Sequence, residues 1–379
     1  MTVLVEPVTG VDVIETLRER PVVLFGAGTL GQRIHKALLG TGIHPRAFAD
    51  NNRDLWGKRI GDTEILSPED AARRFAPEAL FVMAVWRPTC SGGLRGIDRQ
   101  LRDLGCENVI PFPPVLWAFP DLLPHYLWDL PSKMDSQWAP ISEAACLFED
   151  EASRIEYAAQ VEFRRTGDFR ALPPIQTHPP YFPEFLKRSP EEYFVDCGAF
   201  DGDSIDSFVE WTSGRFRKIA AFEADPANFR KLQKRVSDRP EIQDRIVCHP
   251  LAVAARAGTV HFNAIGLSGS SVSDTGGIEV RTVTLDEILR DEDPTFIKMD
   301  IEGSELDALI GGRETIRRAR PILAVCVYHC QDHLWRLPLL IRELLPEARL
   351  FLKAYCLDGM ETVCYAVPEH RLIRDRGLR

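Results

Sequence analysis

Tyr193-Phe-Val-Asp196-Cys-Gly198-Ala-Phe-Asp-Gly202-Asp203-Ser204 is the stretch on which the reading of this chain turns. An apolar run ends in an acid, a G-x-x-x-G turn follows, and a helix start comes after it. The next apolar run, KIAAFEADP at 218–226, also ends in an acid, Glu223, and Pro226 with Asn228 then opens a second helix. The pattern continues outward. Further strands are expected at 245–248, 295–299, 321–328, 349–356 and 361–367, and helices at 203–211, 226–236, 303–317 and 333–344. Strands alternating with helices imply a mostly parallel sheet covered on both faces. The last two strands flank Asp358-Gly359, a turn pair that predicts a terminal antiparallel hairpin. Residues 251–290 read as irregular, with one extra strand pair.

A second α/β pattern precedes this one. PVVLF (21–25) is a buried-strand run, Gly26-Ala-Gly28-Thr-Leu-Gly31 is a G-x-G-x-x-G turn, and QRIHKALLG continues as a helix. Strands follow at 46–49, 79–85 and 108–111, with a helix at 92–104. Asp50 ends the second strand, where a ribose-binding acid belongs in a nucleotide-binding fold. The glycines serve either a diphosphate or packing alone, and the two readings weigh equally. Between the two patterns lies a Pro- and aromatic-rich span. Residues 141–166 have helical spacing with Leu147, Ala152, Ile155 and Ala159 on one side, and the prolines of ALPPIQTHPPYFPEFL (171–186) forbid a regular helix there. The expected organisation is α/β with two doubly wound domains: 1–115, Rossmann-like; 116–190, a helical connector; and 191–379.

Length and composition agree. The chain has 379 residues, 45% of them hydrophobic and 27% charged, as in a folded globular protein. The net charge of −10 argues against a nucleic-acid partner. Nine dispersed cysteines without C-x-x-C fit reduced thiols and a cytoplasmic location. No apolar run is long enough to span a membrane, and MTVLV at the start lacks the pattern of a secretory signal.

The second glycine turn carries most of the chemistry. A strand-end acid such as Asp196 can hold a cationic amino group, and a carboxylate at Glu223 can accept two ribose hydroxyls. A ligand with an amino acid part and a nucleoside but no phosphate fits both, which is S-adenosylmethionine rather than NAD. Asp203 or Ser204 can cap the following helix. A lipase-type reading of Gly202-Asp203-Ser204-Ile205 lacks a histidine partner. In FIKMDIEGSEL (296–306), Asp300 and Glu302 stand at a strand end, able to orient a substrate, take its proton or hold a divalent cation. Leu306, Leu309 and Ile310 mark the buried face of the helix after it. His329 ends the apolar run ILAVCV and suits a general base at neutral pH. A zinc site from His329, Cys330 and His333 is spoiled by the strand-to-helix break between them, so no metal site is assigned.

FVDCGAFDG (194–202), AFEADPANFRKL (221–232), HPLAVAARAGTVHF (249–262) and IKMDIEGSELDALIGG (297–312), in this order, resemble the FkbM family of S-adenosylmethionine-dependent methyltransferases over about residues 181–330. The resemblance implies a class I methyltransferase fold and methylation of a hydroxyl on a sugar, glycan, lipid or natural product. By position it implies cofactor contacts from Asp196, Gly198, Gly202 and Glu223, with Asp300 and Glu302 facing the reacting centre; Ala199, Asp203, Ser204 and Ala252 are further candidates for the cofactor, and His329 is the candidate base. FGAGTLG and the stretch AFADNN to SPEDA resemble nucleotide-sugar-binding domains of sugar acyltransferases, with Gly26, Gly28, Gly31 and Asp50 as the candidate contacts. A homo-oligomer is compatible with the sequence. His178-Pro-Pro-Tyr181 resembles the Asn/Asp-Pro-Pro-Tyr box of amino-group methyltransferases. It lacks the amide or carboxylate and precedes the expected place, so it reads as chance. Ser270 and Ser271, in the Gly/Ser-rich stretch 266–277, are weak candidates for substrate contact. The competing readings are a nucleotide-sugar oxidoreductase or epimerase built on the first glycine turn, which lacks Tyr-x-x-x-Lys, and a non-catalytic nucleotide-sensing scaffold.

Overall fold

The first glycine turn sits in a six-stranded sheet. Its strands are β1 (Val22–Phe25), β2 (Ala47–Ala49), β3 (Arg59–Ile60), β4 (Thr63–Leu66), β5 (Leu80–Met83) and β6 (Asn108–Pro111), in the order β3-β4-β2-β1-β5-β6. All pairs are parallel except β3 with β4. Every residue of β1 and β5 is buried, which is why these runs are apolar throughout rather than alternating. Gly26 and Gly31 are packing requirements. A Cβ on Gly31 would stand 1.9 Å from the Gly26 carbonyl oxygen, and one on Gly26 would stand 2.4 Å from Val85. Gly28 faces open space.

A seven-stranded sheet carries the second turn. It comprises β7 (Tyr193–Cys197), β8 (Lys218–Phe222), β9 (Ile246–His249), β14 (Phe296–Met299), β15 (Ile322–Cys326), β16 (Arg349–Ala354) and β17 (Thr362–Val367). The order is β16-β17-β15-β14-β7-β8-β9, and β17 runs antiparallel between β15 and β16 as the hairpin predicted. A separate four-stranded sheet, β10 (Ala252–Val253), β11 (Gly258–Asn263), β12 (Ser271–Val272) and β13 (Ile278–Val283), occupies the span expected to hold one strand pair. Phe194 of β7 stacks on Phe208 at 4.5 Å and meets Phe296 of β14 edge-on, so the core lies directly beneath the junction of β7 and β14. The chain order reverses at that junction, and ligands in open α/β sheets bind outside the carboxyl ends of the strands at such a point.

This computed structural model describes residues 10–86, 92–263, 271–272 and 277–373. They form two compact units that do not follow one another along the chain. One takes the chain up to Trp138, then Glu156–Ile175 and Cys356–Met360; the other takes Ala139–Ile155, Gln176–Tyr355 and the chain from Glu361. The stretch 116–190 is thus divided between them.

Two helix readings differ from the structure. Residues 141–166 hold two helices, Trp138–Ala145 and Glu151–Thr166, and the inward face of the second carries polar side chains beside Tyr157, Val161 and Phe163. Ser153, Glu156, Gln160 and Arg164 are buried, while Ile155 is 52% exposed. Gln160 Nε2 donates to Glu156 Oε1 at 2.8 Å, and Ser153 Oγ accepts from the Leu352 amide at 2.9 Å. Partnered polar groups therefore took the side that apolar spacing assigned to the other face. Residues 303–317 hold Glu305–Gly311 and Arg313–Ala319, broken at Gly312. There a Cβ on Gly311 would stand 2.1 Å from the Ala254 carbonyl oxygen. Leu309 is buried as expected, but Ile310 is exposed and Glu305 takes the inward place.

Candidate active site

The turn after β7 is bound on both sides. Gly198 has φ +85°, and a Cβ there would lie 1.9 Å from the Asp300 carbonyl oxygen, so only glycine lets β7 and β14 end side by side. The amides of Gly198 and Ala199 both donate to the Phe222 carbonyl of β8, at 3.0 and 2.9 Å. Glu223 then reaches back under the turn. Its two oxygens accept from the amides of Phe200 and Asp225, at 2.8 and 2.7 Å. Burial pushes its carboxyl up to about 7, against the pull of those two amides.

Asp196 and Glu223 border the same turn, and both belong to one face by strand alternation, since Asp196 pairs with Ala221 two residues before Glu223. Their roles diverge. Asp196 is fully buried, accepts from Ser204 Oγ, and faces the Lys298 ammonium at 3.0 Å. Lys298 also donates to the Gly198 carbonyl at 2.6 Å. Burial works against the charge on Lys298, but Asp196 and Asp300 outweigh it and hold the ammonium protonated. The acid expected to meet a ligand's amino group is therefore already neutralised from within. Three other carboxylates sense one another nearby. Burial, Asp300 and Asp203 all raise Glu361, and burial with Asp196 and Asp201 raises Asp203. A cation entering among Asp203, Asp300 and Glu361 would relieve that repulsion.

The carboxyl ends of β14 and β15 bring Asp300, Glu302 and His329 together, as expected. His329 is buried. Its Nε2 lies 3.3 Å from Asp300 Oδ1 and 3.7 Å from Glu302 Oε2, and its Nδ1 lies 2.8 Å from Glu305 Oε1. Glu305 is fully buried, accepts from the Ile301 amide at 2.8 Å, and meets His333 at 3.2 Å through its other oxygen. Burial alone would lower His329, but Glu305, Glu302 and Asp300 carry it to about 10. The imidazole thus holds its proton at neutral pH, unlike the unperturbed ring expected of a general base. Glu302 is pushed up to about 7, mainly by burial and in part by Asp300 and Glu305.

Tyr181 completes the cluster and was missed by the sequence reading, which set the His178-Pro-Pro-Tyr181 box aside. Its hydroxyl donates to Asp300 Oδ2 at 2.7 Å, and its ring faces the Lys298 ammonium 5.2 Å from the centroid. The backbone at Tyr181 is left-handed, φ +74°, and its amide donates to the Tyr365 hydroxyl at 3.0 Å. Lys298, Glu305 and Glu361 were also missed. The first is a charge inside an apolar strand, the second faces inward where Leu306 and Ile310 were expected to, and the third follows a turn.

Other candidates fall as follows. The helix Asp203–Thr212 takes Gly202 as its N-cap, with φ +92° and no side-chain cap, and Asp203 Oδ1 accepts from the Ser204 amide at 2.8 Å. Ala252 lies in β10, paired with β13 rather than with the seven-stranded sheet. In the first unit, Asp50 stands at the end of β2, but its carboxylate accepts from the amides of Ala27 and Asn52, both at 2.8 Å. It ties the first glycine turn to the sheet. Ser270 lies outside the described residues, and Ser271 begins β12. No helix among the described residues is long and apolar enough to cross a membrane.

Comparison with known proteins bears on the same region. A crystal structure of methyltransferase FkbM from Methylobacillus flagellatus KT superposes over 96% of this chain and 95% of its own, with a TM-score of 0.75 and 24% identity. That match shows the fold. An rRNA methylase from Streptococcus thermophilus is 13% identical, covering 49% of this chain and 92% of its own, at a TM-score of 0.30. UDP-D-quinovosamine 4-dehydrogenase from Vibrio fischeri is 22% identical, covering 25% and 79%, at 0.21. No curated protein matches the chain. Residues 196–355, which begin at Asp196 and contain both Glu223 and the Asp300–His329 cluster, match the model of the methyltransferase FkbM domain.

Proposed function

We propose that the chain transfers a methyl group from S-adenosylmethionine to a hydroxyl oxygen of a sugar, glycan or natural product. The observation that carries this reading is the turn at 198–204, placed at the reversal of strand order with Glu223 beneath it. The residues fit the donor. A glycine whose Cβ has no room lets the backbone pass close to β14, and Glu223, with lone pairs left after its two amide bonds, can accept ribose hydroxyls. The ammonium of the donor's amino acid part is met by Asp203 and Glu361, in place of Asp196. Asp196 and Lys298 form a neutral floor under the turn.

When bound, the donor supplies a sulfonium methyl already activated by its positive charge. The protein's task is therefore placement of the acceptor. Asp300 is oriented by Tyr181 and His329, and it and Glu302 are the carboxylates at the strand ends able to take the hydroxyl proton. The buried thiols of Cys106, Cys197, Cys326 and Cys364 are free, which suits a reducing, cytoplasmic setting. Calorimetry with S-adenosylhomocysteine tests the reading: saturable binding, lost in Glu223→Ala, is expected. Absence of binding at millimolar ligand would defeat it.

A further inference from the structure

We propose that Glu305 is a positioning residue: it fixes His329 as a cation between Asp300 and Glu302, so that Glu302, and not the histidine, is the proton-accepting group of the cluster. That the proton comes from a hydroxyl being methylated rests on the methyl-transfer reading; the arrangement rests on the cluster itself. Exposure separates the candidates. The His329 side chain is 2% exposed, so no acceptor reaches it, whereas those of Asp300 and Glu302 are 23% and 18% exposed. Hydrogen bonding then separates the two carboxylates. Asp300 Oδ2 accepts from the Tyr181 hydroxyl at 2.7 Å and Oδ1 from the Tyr328 hydroxyl at 3.3 Å, with His329 Nε2 also 3.3 Å from Oδ1. Donors around a carboxylate favour its ionised form and make it a poor proton acceptor. Among the described residues none donates a hydrogen bond to the Glu302 carboxylate, and His329 Nε2 stands 3.7 Å from it.

Glu305 supports this arrangement from beneath. It begins the helix Glu305–Gly311 and is fully buried. Its Oε1 lies 2.8 Å from His329 Nδ1, and its Oε2 lies 3.2 Å from Nδ1 of His333, at the start of the helix His333–Leu344. Oε1 also accepts from the amides of Ile301 and Gly303, at 2.8 and 3.5 Å, the residues on either side of Glu302. Glu302 has φ +53° and Gly303 φ +104°, so one carboxylate holds both the imidazole and the left-handed turn that presents Glu302. The charged and titratable groups facing His329 are Glu305, Glu302 and Asp300, with the Tyr328 ring at 4.1 Å and, through Glu305, His333 and Cys330. Those facing Glu302 are His329, Asp300, Glu305 and Lys298. Burial disfavours the cation on His329, and Glu305 is the largest of the charges that restore it. Burial is also what raises Glu302 most, and the imidazolium works against it. As the oxygen–methyl bond forms and the sulfur–methyl bond breaks, the hydroxyl proton passes to Glu302, and water takes it once product leaves.

The test uses the full chain with isotope-labelled histidine and glutamate, titrated by nuclear magnetic resonance between pH ~5 and ~8.5. Signals are assigned by their absence from His329→Gln and Glu302→Gln. The His329 ring is expected to keep both protons throughout, and the Glu302 carboxyl to titrate near neutrality. Glu305→Gln keeps the shape of the side chain and removes its charge. It should bring the His329 midpoint down by ~2 pH units or more, into the titrated range, which a residue that only filled space would not do. His329→Gln removes the cation and should raise the Glu302 midpoint by ~1 pH unit. If Glu305→Gln does not fold, the wild-type titration and His329→Gln decide. A wild-type His329 that loses its proton below pH ~8, a midpoint unmoved by Glu305→Gln, or a Glu302 carboxyl still ionised at pH ~5 overturns the inference. S-adenosylhomocysteine is added to the same samples. If it binds while His329 titrates, this inference alone falls; if His329 stays protonated and nothing binds, the methyl-donor reading alone falls.

Discussion

Glu223 couples donor binding to pH. Burial holds its carboxyl at about 7 in the free protein, and only the ionised form accepts from both ribose hydroxyls. Raising the pH through 7 ionises it, so affinity for S-adenosylhomocysteine should rise about tenfold between pH 6 and 8 and then level off. Calorimetry at several pH values checks this, and Glu223→Gln should flatten the profile. Tyr181→Phe removes the 2.7 Å hydrogen bond to Asp300 while keeping the ring over Lys298. We expect turnover to fall ~10-fold with affinity for S-adenosylhomocysteine within ~2-fold, measured by steady-state kinetics and calorimetry on one preparation. Asp300 and His329 were legible because each follows an apolar run, and Glu302 because it stands two residues past Asp300. Tyr181 was not, because its segment has no periodicity and the hydroxyl bond joins positions 119 residues apart. The partner of Asp196 was hidden for another reason. Lys298 sits in a run that reads as apolar, and a lysine there gives no sign of the carboxylate it pairs with on the neighbouring strand.

Among the elements, the two glycine turns separate by what surrounds them. Gly198→Ala forces a Cβ against the Asp300 carbonyl at a left-handed φ, and a loss of at least ~2 kcal/mol is expected by urea unfolding. Gly28→Ala meets nothing within 4 Å and has φ −77°, so stability should stay within ~1 kcal/mol. The turn between β16 and β17 offers a pH test. Asp358 accepts from the Leu94 amide at 2.9 Å, and burial pushes its carboxyl up to about 6. The unfolded chain loses this proton at a lower pH than the folded one. Its contribution is therefore full below ~4 and lost as pH rises to about 6, by at most ~3 kcal/mol. Comparing urea midpoints of the wild type and Asp358→Asn at pH 4.5 and 7 isolates that slope. Strands were readable here because burial on both faces makes them continuously apolar. The helix Glu151–Thr166 was not, because Ser153, Glu156, Gln160 and Arg164 face inward with partners that no local pattern reveals.

At the scale of the molecule, two sheets each reverse strand order, and among the described residues the acid and imidazole cluster lies at the second reversal. Incubation with NAD and nucleotide sugars should accordingly give no nicotinamide absorbance change, whereas a turnover signal would restore an oxidoreductase role to the first unit. The two α/β patterns were evident in the order of runs and turns, and so was the terminal hairpin. The partition of the chain was not, since it depends on which distant segments touch. Cys356–Met360, in the connection between the last two strands, groups with the first unit, and the helix Glu151–Thr166 contributes to both. The boundary is therefore crossed repeatedly by one backbone. Cutting the gene near codon 190 would separate that five-residue tip from the segments it groups with, among them Leu94, whose amide donates to Asp358. Recombination that exchanges either half as a cassette should yield inclusion bodies, and the two halves are expected to be inherited together.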